Sequence, residues 1–124
     1  ASPLLMLDRK ALQMVFNNLI GNALRYSPVG SALKIHLYRT GRFWDVDFAD
    51  KGIGFDNRDM KKVFKKFYRV QNEDTQNIEG AGLGLFISRE IVKNHKGKLR
   101  VASPGRGKGS VFTVSLPVSR GLTV

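Results

Sequence analysis

Asn18 and Asn22 stand four residues apart in a stretch with helical periodicity, so both carboxamides project from one edge of one helix. An amide oxygen is a hard, neutral donor suited to Mg²⁺, which keeps water and substrate phosphates as further ligands. Two amides on a solvated helix edge would show the same spacing. Arg25 and Tyr26 follow one turn later. Asp50-Lys51-Gly52-Ile53-Gly54-Phe55 offers a carboxylate at a strand end, able to accept from an exocyclic amine such as that of adenine. Its two glycines let backbone approach a flat base, although a plain glycine turn reads alike. In Gly80-Ala81-Gly82-Leu83-Gly84-Leu85, alternate glycines lead into a helix start, where backbone N–H groups and the helix dipole favour a phosphate. It is not a Walker A loop, because G-x-x-x-x-G-K-[ST] is absent.

These residues need elements to hold them. Between Asp8 and Tyr26, Leu12, Val15, Phe16, Leu19, Ile20 and Ala23 recur at three- and four-residue steps, an amphipathic helix stopped by Ser27-Pro28 and Gly30. Leu33, Ile35 and Leu37 alternate with Lys34, His36 and Tyr38 as a half-buried strand, and Trp44, Val46 and Phe48 alternate with Asp45 and Asp47 as a second. Thr40-Gly41-Arg42 supplies the hairpin turn between them. Arg58 to Phe67 reads as a short helix, and the polar stretch Arg69 to Gly80 as a mobile lid. A helix from Leu83 or Gly84 to His95 should turn Leu83, Phe86, Ile87 and Ile91 inward and end at Gly97. Lys98 to Ala102 and Val111 to Leu116 read as the last strands. This order predicts an α/β (α+β) two-layer sandwich with a mixed, mostly antiparallel sheet and helices on one face. A Rossmann fold would need strict alternation of strand and helix.

At 124 residues the chain is expected to be one domain. No stretch reaches the ~20 consecutive apolar residues of a membrane span. The apolar opening, Ala1 to Leu7, lacks the basic flank of a secretion signal and reads as a cut from a longer protein. Without cysteine, disulfides and thiolate metal sites are excluded, and two distant histidines argue against an imidazole metal site. The net charge of +11 predicts attraction to an anion: nucleic acid, membrane surface or phosphorylated small molecule. A solvated basic surface is the plain alternative. A nucleic-acid-binding domain would need aromatic stacking positions or a helix-turn-helix pattern beside its basic residues, and neither is present.

Taken together, the motifs resemble the catalytic ATP-binding domain of bacterial two-component sensor histidine kinases, within the ATPase superfamily shared with gyrase-type and Hsp90-type proteins. Asn18 to Pro28 is similar to that family's asparagine box and Asp50 to Gly54 to its first glycine box. Phe64 to Arg69 is similar to its phenylalanine box, Gly80 to Leu85 to its second glycine box, and Gly107-Lys108-Gly109-Ser110 to its last. The resemblance implies a Bergerat-type fold with a mobile ATP lid, one catalytic domain over 1–124, and ATP and Mg²⁺ as ligands. It implies that Asn18 and Asn22 meet Mg²⁺ and the phosphates, with Arg25 near the phosphate chain and Tyr26 against the base. Asp50 would recognise the adenine amine in a pocket shaped by Gly52, Ile53, Gly54 and Phe55. Arg69 would approach the terminal phosphate and act with Asn18 and Asn22 in catalysis. Gly80, Gly82 and Gly84, with Leu83 and Leu85, would form the lid hinge and donate backbone N–H groups.

The implied partners are a dimerisation domain carrying the phospho-accepting histidine, within a homodimeric parent, and a downstream response regulator. No nucleic acid and no direct membrane contact are expected. The implied location is cytoplasmic, with the parent anchored in the bacterial inner membrane. Ala81 departs from the Thr or Ser common in the family and removes a hydroxyl. Gyrase-like relatives carry a water-activating glutamate where Asn18 stands, and an amide cannot serve as that base. Transfer is therefore expected over hydrolysis, and an anti-sigma serine kinase, which would carry a carboxylate there, is disfavoured. A regulatory nucleotide-binding module would share the same pocket. His95 is expected to be structural, at a helix end, and His36 to face the polar side of its strand.

Overall fold

The computed structural model describes residues 8–70 and 83–118, so the expected lid beyond Val70, with Gly80 and Gly82, lies outside the described residues. Helix α1, Arg9–Tyr26, begins where the Asp8 carboxylate accepts a hydrogen bond from the Ala11 N–H at 3.0 Å. It stops at Ser27, whose backbone is extended ahead of Pro28. The chain continues through β1 (Lys34–Thr40), β2 (Phe43–Asp50), α2 (Asn57–Met60), α3 (Gly84–Asn94), β3 (Lys98–Ala102) and β4 (Ser110–Pro117). The sheet order is β1-β2-β4-β3, and every pairing is antiparallel. The expected mixed sheet is thus wholly antiparallel among the described strands.

One face of this sheet makes the core. Phe48 of β2, Leu99 of β3 and Phe112, Val114 and Leu116 of β4 pack against Leu12, Val15 and Leu19 of α1 and Val92 of α3. Such a two-layer arrangement buries the apolar stripe of each helix and one face of the sheet. Across the other face, polar side chains bond in rows. Thr113 and Tyr38 donate to the Asp47 carboxylate, and Ser115 donates to buried Asp45. His95 ties the two helices together: its Nε2 accepts from the Asp8 backbone N–H at 2.8 Å. Because a backbone N–H only donates, Nδ1 carries the imidazole proton and gives it to the Ile91 carbonyl at 2.8 Å. The expected structural role of this histidine is what the geometry supports.

Three local expectations change. The helix foreseen over Arg58 to Phe67 shrinks to α2, followed by turns in which the N–H groups of Lys62, Lys65 and Tyr68 each bond a carbonyl three residues back. Lys61 with Lys65 and Lys62 with Lys66 would set like charges one turn apart on a continuous helix, which opposes it. Along α3 the inward seam is Leu85, Ser88, Ile91 and Val92, whereas Ile87 is exposed. β1 is an edge strand beyond the cover of the helices, so Ile35 and Leu37 are 54% and 62% exposed rather than half-buried.

These placements predict opposite sensitivities for two leucines. In urea unfolding, Leu19→Ala should cost about 2–5 kcal/mol, as core truncations do. Leu37→Thr should stay within about 0.5 kcal/mol. Equal losses at the two positions would contradict this packing.

Candidate functional site

A cleft of about 950 Å³, counted out to its open mouth, lies between the end of α1, the loop after β2, the turns after α2 and the start of α3. Its fixed point is Asp50, the last residue of β2, paired in register with Ser110, the first of β4. One carboxylate oxygen accepts the Gly52 N–H at 2.8 Å, and the other accepts the Ser110 hydroxyl at 3.0 Å. A carboxylate has roughly four lone-pair positions, so acceptor capacity remains for a donor within the cleft.

The loop after Asp50 is held by close backbone packing. A Cβ on Gly52 would come within 2.5 Å of the Tyr26 carbonyl oxygen, to which Ile53 N–H also bonds at 3.0 Å. Gly54 has φ +64°, and a Cβ there would overlap the Gly105 carbonyl. Both glycines therefore answer first to protein backbone, closer to the plain turn than to the base approach, the two reasons expected of them. The loop from Ser103 to Gly109 runs alongside: Gly107 and Gly109 donate to the Ile53 and Gly52 carbonyls. Ser103 accepts the Phe55 N–H and donates toward the Gly105 and Gly109 carbonyls. The last glycine box thus braces the first.

On the α1 side, Asn22, Arg25 and Tyr26 line the cleft, and the Arg25 guanidinium donates to the Asn22 amide oxygen at 2.7 Å. Opposite, Val63, Tyr68, Arg69 and Val70 form a wall, with Leu83, Gly84 and Leu85 closing from α3. Asp56 caps α2 by accepting the Asp59 N–H, and that bond holds its carboxyl below the usual carboxylate range. Buried Asp59 in turn receives the Tyr68 hydroxyl at 2.6 Å, fixing the tyrosine at the rim. Phe112 carries the apolar floor and meets Phe55 and Phe64 edge-on at 6.0 and 6.2 Å.

The family model described as histidine kinase-, DNA gyrase B-, and HSP90-like ATPase matches residues 7–120. The chain belongs to that ATPase family. Histidine kinase P4 of Formosa agariphila is 37% identical over 117 residues, covering 92% of this chain and 8% of that protein. Sensor histidine kinase WalK of Bacillus subtilis is 37% identical over 113 residues, covering 90% of this chain and 18% of that protein. Among solved structures, the mycobacterial sensor histidine kinase MprB superposes with TM-score 0.78 at 29% identity, covering 89% of this chain and 72% of that one. The catalytic domain of histidine kinase ThkA follows at TM-score 0.74 and 26% identity, covering 89% and 69%. Within the ATPase family the chain is therefore of the histidine-kinase catalytic type, and it spans a minor part of these curated relatives.

In this histidine-kinase-type ATPase domain, the cleft gathers most of the residues foreseen for it: Asn22, Arg25, Tyr26, Asp50, Ile53, Gly54, Phe55, Arg69, Leu83, Gly84 and Leu85. Asn18 and Gly52 stand behind the lining, Asn18 with its amide nitrogen on Ser88 and Gly52 against Tyr26. Gly80 and Gly82 fall outside the described residues. Sequence reasoning missed Ser110, Tyr68, Val63, Val70 and Phe112 as lining residues. For Ser110 the signal was strand register, since it must face Asp50; the apolar three carry no local signal at all.

The donor set suits Mg²⁺ sparingly held. Among the described residues no three His, Cys, Asp or Glu gather for a metal, so a cation here must draw most ligands from water and phosphate. The Asn18 amide oxygen has no hydrogen-bond partner among the described residues, on a side chain that is half-buried, which leaves an acceptor for such an ion.

The bond to Asp59 first, and desolvation second, hold the Tyr68 phenol above the usual tyrosine range. A folded-state pKa above the unfolded one stabilises fully below about pH 10 and loses that contribution as pH rises through the raised value. Tyr68→Phe should therefore cost about 1–3 kcal/mol in urea unfolding at pH 7, by stranding the Asp59 carboxylate. The deficit should narrow above about pH 10; no deficit at pH 7 would refute the role of this bond.

Proposed function

We propose that this domain binds Mg-ATP in the cleft and presents the γ-phosphoryl group to a histidine on a separate helical dimerisation domain. That histidine would hand the phosphoryl group to an aspartate of a response regulator. The observation that carries the reading is Asp50, a carboxylate fixed on two sides and open to the same cleft that Asn22, Arg25 and Arg69 line. Asp50 accepts the exocyclic amine of adenine, while Ile53, Val63, Leu83 and Phe112 supply apolar contact to the ring and Tyr26 borders it. Arg25 and Arg69 offset phosphate charge, and Asn22 with Asn18 holds the cation. A Mg²⁺ held there would supply positive charge to offset what develops on transfer.

The cleft favours transfer over hydrolysis. Asp50 is its sole carboxylate among the described lining residues, and its oxygens are engaged by Gly52 and Ser110. An amide at 18 or 22 cannot take a proton from water. Catalysis then rests on positioning and charge stabilisation, the main demands of phosphoryl transfer. The proposed unit is a single catalytic domain over 1–124, cytoplasmic, in a homodimeric parent anchored in the bacterial inner membrane. No helix among the described residues is long and apolar enough to cross a membrane.

Calorimetric titration tests the reading. The unmutated chain should bind ATP, and Asp50→Asn should weaken it about 10- to 100-fold, the worth of a hydrogen bond to a charged group. With a helical acceptor domain added, γ-labelled ATP should yield acid-labile phosphate. An Asp50→Asn affinity equal to that of the unmutated chain would remove the proposal.

A further inference from the structure

Ser88 is fully buried in the middle of the inward seam of α3, between Leu85 and Val92. The other largest fully buried side chains, Leu19, Val15, Val92 and Val114, are all apolar. A hydroxyl in such surroundings needs a partner. It has one across the helix interface: Asn18 Nδ2 donates to the Ser88 oxygen at 3.1 Å. We propose that Ser88 is a positioning residue, holding the Asn18 carboxamide so that its oxygen faces the phosphate-bound cation; this rests on the Mg-ATP reading above.

The argument is one of orientation. A carboxamide presents an oxygen that attracts a cation and an NH₂ that repels it. With Nδ2 given to Ser88, Oδ1 is the amide atom left without a hydrogen-bond partner among the described residues, on a half-buried side chain. The side chain abuts the cleft, since a Cβ on lining residue Gly84 would lie 3.9 Å from Asn18 Cγ. Asn22, one turn along α1, differs, for its amide oxygen already receives Arg25. Of the two amides, Asn18 offers the ready oxygen, and Ser88 is what keeps it ready. Partners behind a metal ligand commonly matter about 10- to 100-fold for metal affinity.

The test compares ATP affinity of the 124-residue chain with Mg²⁺ and with chelator, the ratio being the magnesium gain. Ser88→Ala should cut this gain roughly 10-fold, leave the chelator-side affinity unchanged, and cause no additional loss on an Asn18→Ala background. A purely structural role would shift unfolding without moving the ratio. Should Ser88→Ala fail to fold, Ser88→Cys keeps the volume with a weak acceptor, and a reduced gain is again expected. A full magnesium gain in either folded variant overturns the proposal, as does an equal loss on the Asn18→Ala background. If the unmutated chain binds no ATP, the nucleotide reading falls, and this proposal with it.

Discussion

The bond between Ser110 and Asp50 spans the β2–β4 ladder at the point where both strands meet the glycine loops. It ties the cleft-lining carboxylate to the sheet, because one oxygen is held by the first residue of β4 and the other by the backbone of the adjoining loop. Everything else at the cleft is referenced to that point. Gly52 and Gly54 let the loop after β2 press against the end of α1 and against the 103–109 loop. Ser103 then locks the two loops to each other. A preformed acceptor costs little reorganisation when a ligand arrives, which is how a small site gains both affinity and selectivity.

Long-range periodicity made much of this legible beforehand. The stripe of α1 and the alternation in β2 needed only their own residues, and both stand where expected. What escaped were features decided by a partner far along the chain. Nothing in Lys34 to Tyr38 says that β1 lies at an edge with Ile35 and Leu37 uncovered; sheet order decides that. The phase of α3 was misread because a serine occupies its buried seam while Ile87 points outward. The helix expected over Arg58 to Phe67 yielded to lysine repulsion and to the Asp59–Tyr68 bond, which needs the chain to fold back. Among the lining residues, those of the quoted motifs were foreseen; Ser110 and Tyr68 depend on strand register and on a turn, while Val63 and Phe112 are ordinary apolar residues until the fold brings them to the cleft.

The basic balance is also concentrated beside the cleft. Lys61, Lys62, Lys65 and Lys66 are exposed on the turns next to Val63 and Tyr68, beside the cleft. A cluster of one sign next to a concave site raises the local concentration of anions and speeds their capture. The two acidic residues of that stretch are outnumbered and engaged locally: Asp56 caps α2, and Asp59 is buried beneath Tyr68. Fold and charge therefore favour the same class of ligand by separate means.

Purine selectivity probes the anchored carboxylate most directly. Adenine offers an exocyclic amine to an acceptor, whereas guanine carries a carbonyl oxygen at the same ring position. Competition against a fluorescent ATP analogue should show ATP displacing the probe at concentrations about 10- to 100-fold lower than GTP, the scale of a hydrogen bond to a charged group. Equal displacement by the two nucleotides would contradict Asp50 as the group that reads the base.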